Sequence, residues 1–511
     1  MPLVFQGGSQ NCNVSRSDHP ITTTEDSPAP IASHRAAAAP LAQIDSGIVP
    51  EMGGEGQALV DVVVCPVHSL PPEIMSCVFI ECLPNDSDAR PSNGRAPLLL
   101  VRVCRRWTDI ALSTPYLWSS LEITAQSRHL FSRSTLRGLE TWFSRAHTLP
   151  LSLKIQHNVD RSQIVDISGL ETLDISDLLP RVERLTVWFH MDDSRTLLPA
   201  TSPLPQLRSL TAVLWDADLR HVIQNAPCLT ELFWTRGVDH GTIAFHPFTS
   251  NTLTKLDICF DSFSGAEFIG ILQHLPMLSY LACYVTARFT DTRAPLPFPN
   301  LHTLRLRQWG TRSPLLALPI DALGLVTLPN LRHLEYDSCW NSDVVTAFLS
   351  RSQCTIRQLK CQMMSVTHAV RGHLEPFLHV EELYAIVRGH LASFVDTLHP
   401  RDDSERSSPP MLLELRRMTI SYLSNLSFDY SSVIDFVHRR RAAADAHNLN
   451  APRIAKLESL YIKVDTGSNW RPDPTIENEL HRLISSGVDF EIQAIGDDRV
   501  IWPRKRVVSN P

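Results

Sequence analysis

The chain reads as an α/β protein: a leader without a core, a short helical module, and a long array in which strands alternate with helical or irregular returns. Three observations predict this. The first 60 residues carry Ser, Pro, Ala, Gly and Thr with almost no aromatic side chain. At His68 the texture changes and two amphipathic stretches follow. From about Leu117 onward a leucine-x-x-leucine step, continued by an alternating strand, recurs along the chain.

A segment composed like the first 60 residues buries too little apolar area to offset its ordering entropy. Residues 1–65 are therefore expected to be disordered. The blocks AAAAP and PEMGGEGQ support this, with a short helix near Ala36–Ile44 left open. The whole chain, at 511 residues with 43% apolar side chains, exceeds one ordinary core and calls for several domains or a repeat array. Its 47 basic and 54 acidic side chains give a formal charge of -7, which argues against a bulk electrostatic grip on nucleic acid or anionic lipid. Neither nucleic acid nor membrane is expected as a partner. The longest apolar run, Leu59 to Val67, is broken by Asp61 and Pro66, so no bilayer span is read. The first residues lack a basic segment followed by an apolar one, as a secretory signal would need. Eleven cysteines lack a C-x-x-C pair, and Cys104, Cys259, Cys283 and Cys361 sit among apolar neighbours. They read as small buried hydrophobes in a reducing compartment, cytoplasmic and/or nuclear.

The helical module spans 66–123. In SLPPEIMSCVFIECLP, prolines occupy the first helical turn, where the missing N–H has no intrahelical partner. Ile74, Val78, Phe79 and Cys82 follow at three-to-four spacing. NDSDARPSNGRA is a loop by composition. PLLLVRVCRRWTDIALSTP then puts Leu100, Val103, Cys104, Trp107 and Ile110 on one expected helical stripe. So few helices make a module too small to be comfortable alone, and it gains from packing on a neighbour or partner.

The recurrent step is legible at RVERLTVWF, QLRSLTAVLW, CLTELFW, TLTKLDICF, MLSYLACYV, NLHTLRLRQW, NLRHLEYDSC, TIRQLKCQM, HVEELYAIV, LRRMTISYL and LESLYIKV. Its second anchors are Leu185, Leu210, Leu232, Leu256, Leu281, Leu304, Leu334, Leu359, Leu383, Met418 and Leu460. Most gaps run from 22 to 25 residues, with longer ones before Leu334, Met418 and Leu460. Leu-Pro or Phe-Pro precedes several steps (Pro205, Pro276, Pro299, Pro329), where proline can end a helix. DLRHVIQNAP and AEFIGILQHLP have helical spacing and fit the return arm. The physical reading is a leucine-rich-repeat-like solenoid over 124–500. Each unit buries about three or four large apolar side chains, each contributing roughly 1.5–3 kcal/mol before entropy is subtracted. One unit cannot close a core, whereas a stack can. The alternative is an α/β sheet whose strands merely begin with Leu, because no unit carries a fixed Asn or Cys ladder residue. Extra residues near 310–326, 400–410 and 438–452 are expected to project as loops, and 501–511 to form a flexible basic tail.

At SLPPEIMSCVFIECLP and LLLVRVCRRWTDIALSTPYLWSSLEI the sequence resembles an F-box. The matching features are Leu70-Pro71, Ile74 with Phe79, Val101–Cys104–Trp107, and Pro115 with Trp118. Together they look like the F-box proteins of mushroom-forming fungi, over roughly Ser69 to Ile123. The array, with its ending GVDFEIQAI, is similar to that group's C-terminal region. One departure is the Ala/Pro/Gly-rich leader where relatives often carry a charged coiled coil. The resemblance implies a non-catalytic role: the helical module docks a Skp-type adaptor, and through it a cullin, while the second domain holds a protein substrate for ubiquitin transfer. Adaptor contact falls to Leu70, Pro71, Ile74, Val101 and Trp107, with internal packing as the other reading of Val101 and Trp107. An F-box scaffold that uses the adaptor without ubiquitin transfer is the alternative.

Strand side chains alternate, so counting from each anchor assigns Thr186, Trp188, Thr211, Trp215, Asp257, Tyr284, Arg305, Arg307, Glu335, Asp337, Lys360, Tyr384 and Lys463 to the exposed sheet face. Trp, Tyr and Arg dominate protein interfaces. Trp188, Trp215, Tyr284, Arg305 and Arg307 are therefore the substrate-face candidates, against an ordinary solvated sheet with incidental aromatics. No phosphate-cradling glycine loop, G-x-S-x-G elbow or H-E-x-x-H pair occurs. Cys77 and Cys82 lack a second pair to make a zinc site. No catalytic residue, metal or cofactor is expected, although an enzyme on an α/β repeat scaffold stays open. The clusters Arg439–Arg441 and Arg504–Arg506 are read as a solvated loop and tail, or as contacts for acidic partners or nuclear import.

Overall fold

The computed structural model describes residues 66–84, 90–125, 133–157, 175–188, 202–214, 216–236, 248–259, 264–284, 294–307, 319–336, 342–364, 371–372, 374–388, 390–399, 411–423, 429–446, 453–464, 473–495 and 500–502. The chain divides into two compact units, residues 1–70 and 71–511. In the first, Pro66–Ser69 forms a 3-10 turn and Leu70 is half-buried. The expected leader, with its optional helix at Ala36–Ile44, lies outside the described residues.

The second unit is α/β, as the sequence predicts. Its helical part begins with α1 (Pro72–Glu81), preceded by Pro71 and starting with proline as expected. A 3-10 turn at Leu100–Arg102 follows, then α2 (Arg105–Leu112) and a second 3-10 turn at Pro115–Trp118. Here the structure corrects the stripes. The buried face of α1 is Met75 and Phe79, while Ile74 (49%) and Val78 (45%) are exposed. The second stretch is two helical pieces: Cys104 is extended (φ -160°, ψ 167°) and Val103 is 52% exposed. The Thr108 hydroxyl fixes that break by donating to the carbonyls of Val101 (2.8 Å) and Cys104 (3.0 Å). It competes with helical backbone bonding as short polar side chains do.

Strand β1 (Ser120–Ala125) crosses residue 123, where the sequence reading ends the helical module, and starts a sheet that runs to the end of the described chain. The sheet continues through β2 (Leu151–His157), β3 (Val182–Trp188), β4 (Ser209–Leu214), β5 (Glu231–Arg236), β6 (Lys255–Cys259) and β7 (Tyr280–Tyr284). A two-residue strand β8 (Leu296–Pro297) precedes β9 (Thr303–Arg307), and another, β10 (Val326–Thr327), precedes β11 (His333–Tyr336). Then come β12 (Gln358–Met364), β13 (Glu382–Arg388), β14 (Arg417–Tyr422), β15 (Ser459–Val464), β16 (Asp489–Ala494) and β17 (Val500–Trp502). Fifteen of these form one sheet in chain order, and β8 pairs with β10 apart from it. Every pairing is parallel except β16 with β17.

All eleven anchors read from the sequence fall in a single row of register partners, from Leu185 opposite Leu210 to Met418 opposite Leu460. The row extends to Leu153 and Leu121 at one end and to Phe490 at the other. Each anchor is at most 2% exposed, so the row is the spine of the core. A second buried row lies two residues on, including Val187, Trp234, Ile258, Leu306, Tyr336 and Ile462. The first leucine of the step, three residues before the anchor, is equally buried at Leu207, Leu229, Leu253, Leu278, Leu301 and Leu331. Just before most strands of the large sheet, from β5 to β15, the backbone repeats one hydrogen-bond pattern. The carbonyl of Arg208 accepts from the N–H groups of Thr230 and Glu231, and that of Thr254 from Ser279 and Tyr280. The same pairing recurs as far as the carbonyl of Arg416, which accepts from Glu458 and Ser459. The turns thereby satisfy polar groups that the sheet would otherwise strand.

Between strands lie α3 (Arg133–Ser144), α4 (Asp216–Asn225), α5 (Gly265–His274), α6 (Ser342–Ser352), α7 (Leu391–Leu398), α8 (Tyr430–Asp445) and α9 (Pro474–Ser485). The two return segments expected to be helical are α4 and α5. Helix α5 opens with a capping box, in which Ser264 and Glu267 each bond the other's backbone N–H. Among the described residues no helix is long and apolar enough to cross a membrane.

Two of the expected projecting loops are partly core. Residues 319–325 form a 3-10 helix that buries Ala322, Leu323 and Leu325, because its apolar side chains have a core to join. Residues 438–445 are the last turns of α8, and 400–410 lie outside the described residues. The arginines of that helix are also not a solvated loop. Arg440 is fully buried and donates to the carbonyls of Leu412 (2.7 Å), Leu415 (3.1 Å), Leu413 (3.2 Å) and Met411 (3.4 Å). Burial lowers its pKa to about 10, so it remains charged at neutral pH. Arg439 pairs with Asp396 and Asp435 and donates to the His399 carbonyl, while Arg441 donates to Ser486. These three side chains hold helices and turns together. Ile501 and Trp502, assigned to the tail, belong to β17. Arg504–Arg506 lie outside the described residues.

Candidate functional site

Two surfaces carry the residues that the sequence singled out. The first is the helical part of the second unit. Its interior is sealed by aromatics: the rings of Phe79 and Trp107 lie 5.0 Å apart, and Trp118 is fully buried with its Nε1 donating to the Ala111 carbonyl at 2.8 Å. Trp142 of α3 meets Trp118 edge-on at 4.9 Å and donates to the Ser120 carbonyl, and the Arg145 guanidinium lies 4.3 Å from the Trp118 ring. Around this sealed centre the helices turn apolar side chains outward. Ile74, Val78, Leu99, Val103, Leu112 and Tyr116 are all exposed, Tyr116 by 61%. Of the residues expected to face an adaptor, Pro71 and Ile74 are exposed, and Val101 and Trp107 are half-buried. Leu70 belongs to the first unit. The sequence did not single out Leu99, Val103 or Tyr116 for this surface, because it placed Val103 on the packed stripe.

The second surface is the half-exposed side of the sheet. Alternation from the anchors holds on β3, buried at Leu185 and Val187 and half-exposed at Thr186 and Trp188, and on β9 through Arg305 and Arg307. Asp257 on β6 and Glu335 on β11, counted to the exposed face, are instead buried beneath the cations that pair with them. Tyr284 is half-exposed on the same side. Trp215 and Asp337 lie outside the described residues.

Parallel register turns equivalent positions into rows that run across the strands. One row, a residue after the anchors, runs Thr186, Thr211, then Phe233, Asp257, Ala282, Arg305, Glu335, Lys360 and Tyr384. Its two halves differ in chemistry. Over β3 to β5 this row is uncharged, two threonines followed by Phe233, with Trp188 6.0 Å from Phe233 and Val213 on the strand between theirs. From β6 to β12 it is a charged lattice. Arg307 meets Asp257 at 3.4 Å, Arg305 meets Glu335 at 2.9 Å, and Lys360 meets Glu335 at 2.6 Å. Tyrosine rings lie beneath the cations: Tyr280 under Arg305 at 5.2 Å, Tyr284 under Arg307 at 5.7 Å and Tyr384 under Lys360 at 5.0 Å. Such cation–π contacts hold a guanidinium or ammonium in place without neutralising it.

Burial sorts these charges. The side chains of Glu335 and Asp257 are 9% and 11% exposed, whereas those of Lys360, Arg305 and Arg307 are 36%, 32% and 19% exposed. The carboxylates form the floor and the cations the outer layer. Burial raises the Asp257 pKa above the ordinary carboxylate value, opposed by Arg307 and Arg305. Burial also disfavours the Arg307 cation, but Asp257, Tyr284 and Glu335 outweigh it and raise its pKa. The neighbouring Cys259 thiol is pushed up to about 11, first by burial and then by Asp257. Glu335, Lys360 and Asp257 were assigned to this side by counting but not singled out. Phe233 was missed, although the count from Leu232 puts it there.

With both surfaces described, comparison with known proteins finds no match: no protein-family model matches the chain, and no curated protein matches it.

Proposed function

We propose that the chain is the substrate-recognition subunit of an SCF-type (Skp–cullin–F-box) ubiquitin ligase, acting in the cytoplasm or nucleus. Its helical module is an F-box that docks a Skp-type adaptor, and its array is a leucine-rich-repeat-like solenoid that holds a protein substrate. The observation that carries this reading is the outward-turned apolar set Ile74, Val78, Leu99, Val103, Leu112 and Tyr116 on helices whose own core is already closed. Large apolar groups concentrated on one small module mark a surface completed by another chain. The unbroken row of anchors supports the repeat reading, because each unit covers its neighbour's leucines and none stands alone. Transfer chemistry on this reading belongs to other subunits.

The test is co-purification of the full chain with a co-expressed Skp-type adaptor and cullin. The wild type is expected to retain both, and the Ile74→Asp, Val103→Asp double variant to lose them while its thermal unfolding stays unchanged. Retention of the adaptor by the folded variant removes the docking surface. Adaptor without cullin in the wild-type complex points to a scaffold instead of a ligase subunit.

A further inference from the structure

The half-exposed side of the sheet is not uniform, and its two halves stand at a fixed spacing. Phe233 on β5 and Arg305 on β9 occupy the same row, separated by β6 and β7, which is three strand steps. At about 4.8 Å per step this is about 14 Å. An extended peptide advances about 3.3 Å per residue and returns to the same side every second residue. Four residues of extended chain therefore span the distance and present both side chains to the sheet.

We propose that this side of the sheet binds an extended polypeptide segment lying across the strands, with a large apolar side chain at one position and an Asp or Glu four residues away. The apolar group packs on Trp188 and Phe233, and the carboxylate meets Arg305, Arg307 and Lys360. This deepens the substrate-receptor reading and rests on it. Charge complementarity decides the occupant. Arg305, Arg307 and Lys360 stand over only two buried carboxylates, and Lys463 lies over the same Tyr384 ring as Lys360, so cations outnumber acids at the outer layer and match an acidic side chain. The nearby Lys255 is already matched by Glu231 at 3.9 Å. The floor carboxylates and the tyrosine rings fix the cations before binding, so little ordering is lost when a ligand arrives.

The recognition lies in side chains, because the strands' own hydrogen bonds are used within the sheet. A ligand read this way is sensitive to spacing. Moving the acid to three residues from the apolar group turns it to the opposite side of an extended chain.

The experiment is fluorescence polarisation of the purified full-length chain with labelled twelve-residue peptides carrying one Phe and one Glu, four or three residues apart. The four-residue spacing is expected to bind at least about tenfold tighter than the three-residue one. Phe233→Ala is expected to weaken the better peptide by about tenfold, and Lys360→Gln to weaken it and flatten its salt dependence. Both variants are checked for unchanged thermal unfolding and unchanged adaptor retention. Equal binding of the two spacings, or binding that requires phosphoserine in place of Glu, overturns the proposal. Loss of adaptor retention in the wild type instead strikes the ligase reading, and the two failures are therefore distinguishable.

Discussion

The helical module and the strand array are built from the same apolar residue types, yet they treat them in opposite ways. Along the array every anchor from Leu121 to Phe490 is within 3% of complete burial, because each strand lends its side chains to the next. In the module, Trp118 and Phe79 are sealed while Ile74, Val103 and Tyr116 are about half or more exposed. Repetition lets a part of the molecule complete its own core. A module of two short helices has no neighbour of its own kind, and its outer apolar groups stay unsatisfied.

The contrast breaks most directly at Trp118. It stands three residues before Leu121, the position the first leucine takes in later units, so one side chain serves both the module and the first rung of the array. Trp118→Ala is expected to cost about 3–5 kcal/mol, as large aromatic truncations in cores do. Because the cavity opens in both regions, urea unfolding followed by circular dichroism should show the whole transition shifted. An unmoved array transition would mean that the module folds apart from it.

A smaller effect sharpens the comparison. Leu304→Ala in the middle of the anchor row should lose about 3 kcal/mol, whereas Ile74→Ala in the module should stay within about 0.5 kcal/mol. Equal losses, measured by the same denaturation midpoints, would remove the distinction between a closed array and an open module.

The smallest expected effect concerns two thiols facing the array interior. Burial raises the pKa of Cys361, and burial with the Asp257 charge raises that of Cys283, from the ordinary 9.0 to about 12. A folded-state pKa above the unfolded one leaves stability intact below about pH 9 and removes it as pH rises toward 12. At pH 10 each thiol should cost about 1.4 kcal/mol. The Cys283→Ala, Cys361→Ala variant should show a correspondingly smaller drop in midpoint between pH 8 and pH 10.

Much of this architecture was legible because its signal repeats. The eleven anchors were readable from spacing alone, and their common row follows from parallel register. The strands that escaped the count lack the first leucine of the step. In β2 its place is Pro150, beside a register shift at Leu151, and before Phe490 it is Gly487. The half-exposed side of the sheet was legible in part, since alternation carries over from anchors such as Leu185 and Leu304, whereas Asp257 and Glu335 are buried where the count puts them in the open. Its lattice of ion pairs was not, because Asp257 and Arg307 are fifty residues apart and only the sheet brings them together. The module was the harder reading. Periodicity put Val103 inside, but the Thr108 hydroxyl ends the first helical piece there and turns that side chain out. Arg440 was likewise taken for a surface charge, since nothing local shows that a turn of carbonyls awaits it.

The final strand carries a consequence for how copies of the chain behave toward each other. Rungs that all point the same way and follow chain order leave a last rung shaped to receive the first rung of another molecule, and such head-to-tail joining has no natural stop. Strand β17 runs backwards against β16, is three residues long, and is followed in the sequence by Pro503, which has no N–H to offer. Three residues of reversed chain thus cover the parallel edge of β16, and deleting them is expected to raise self-association, read as an increase in light scattering.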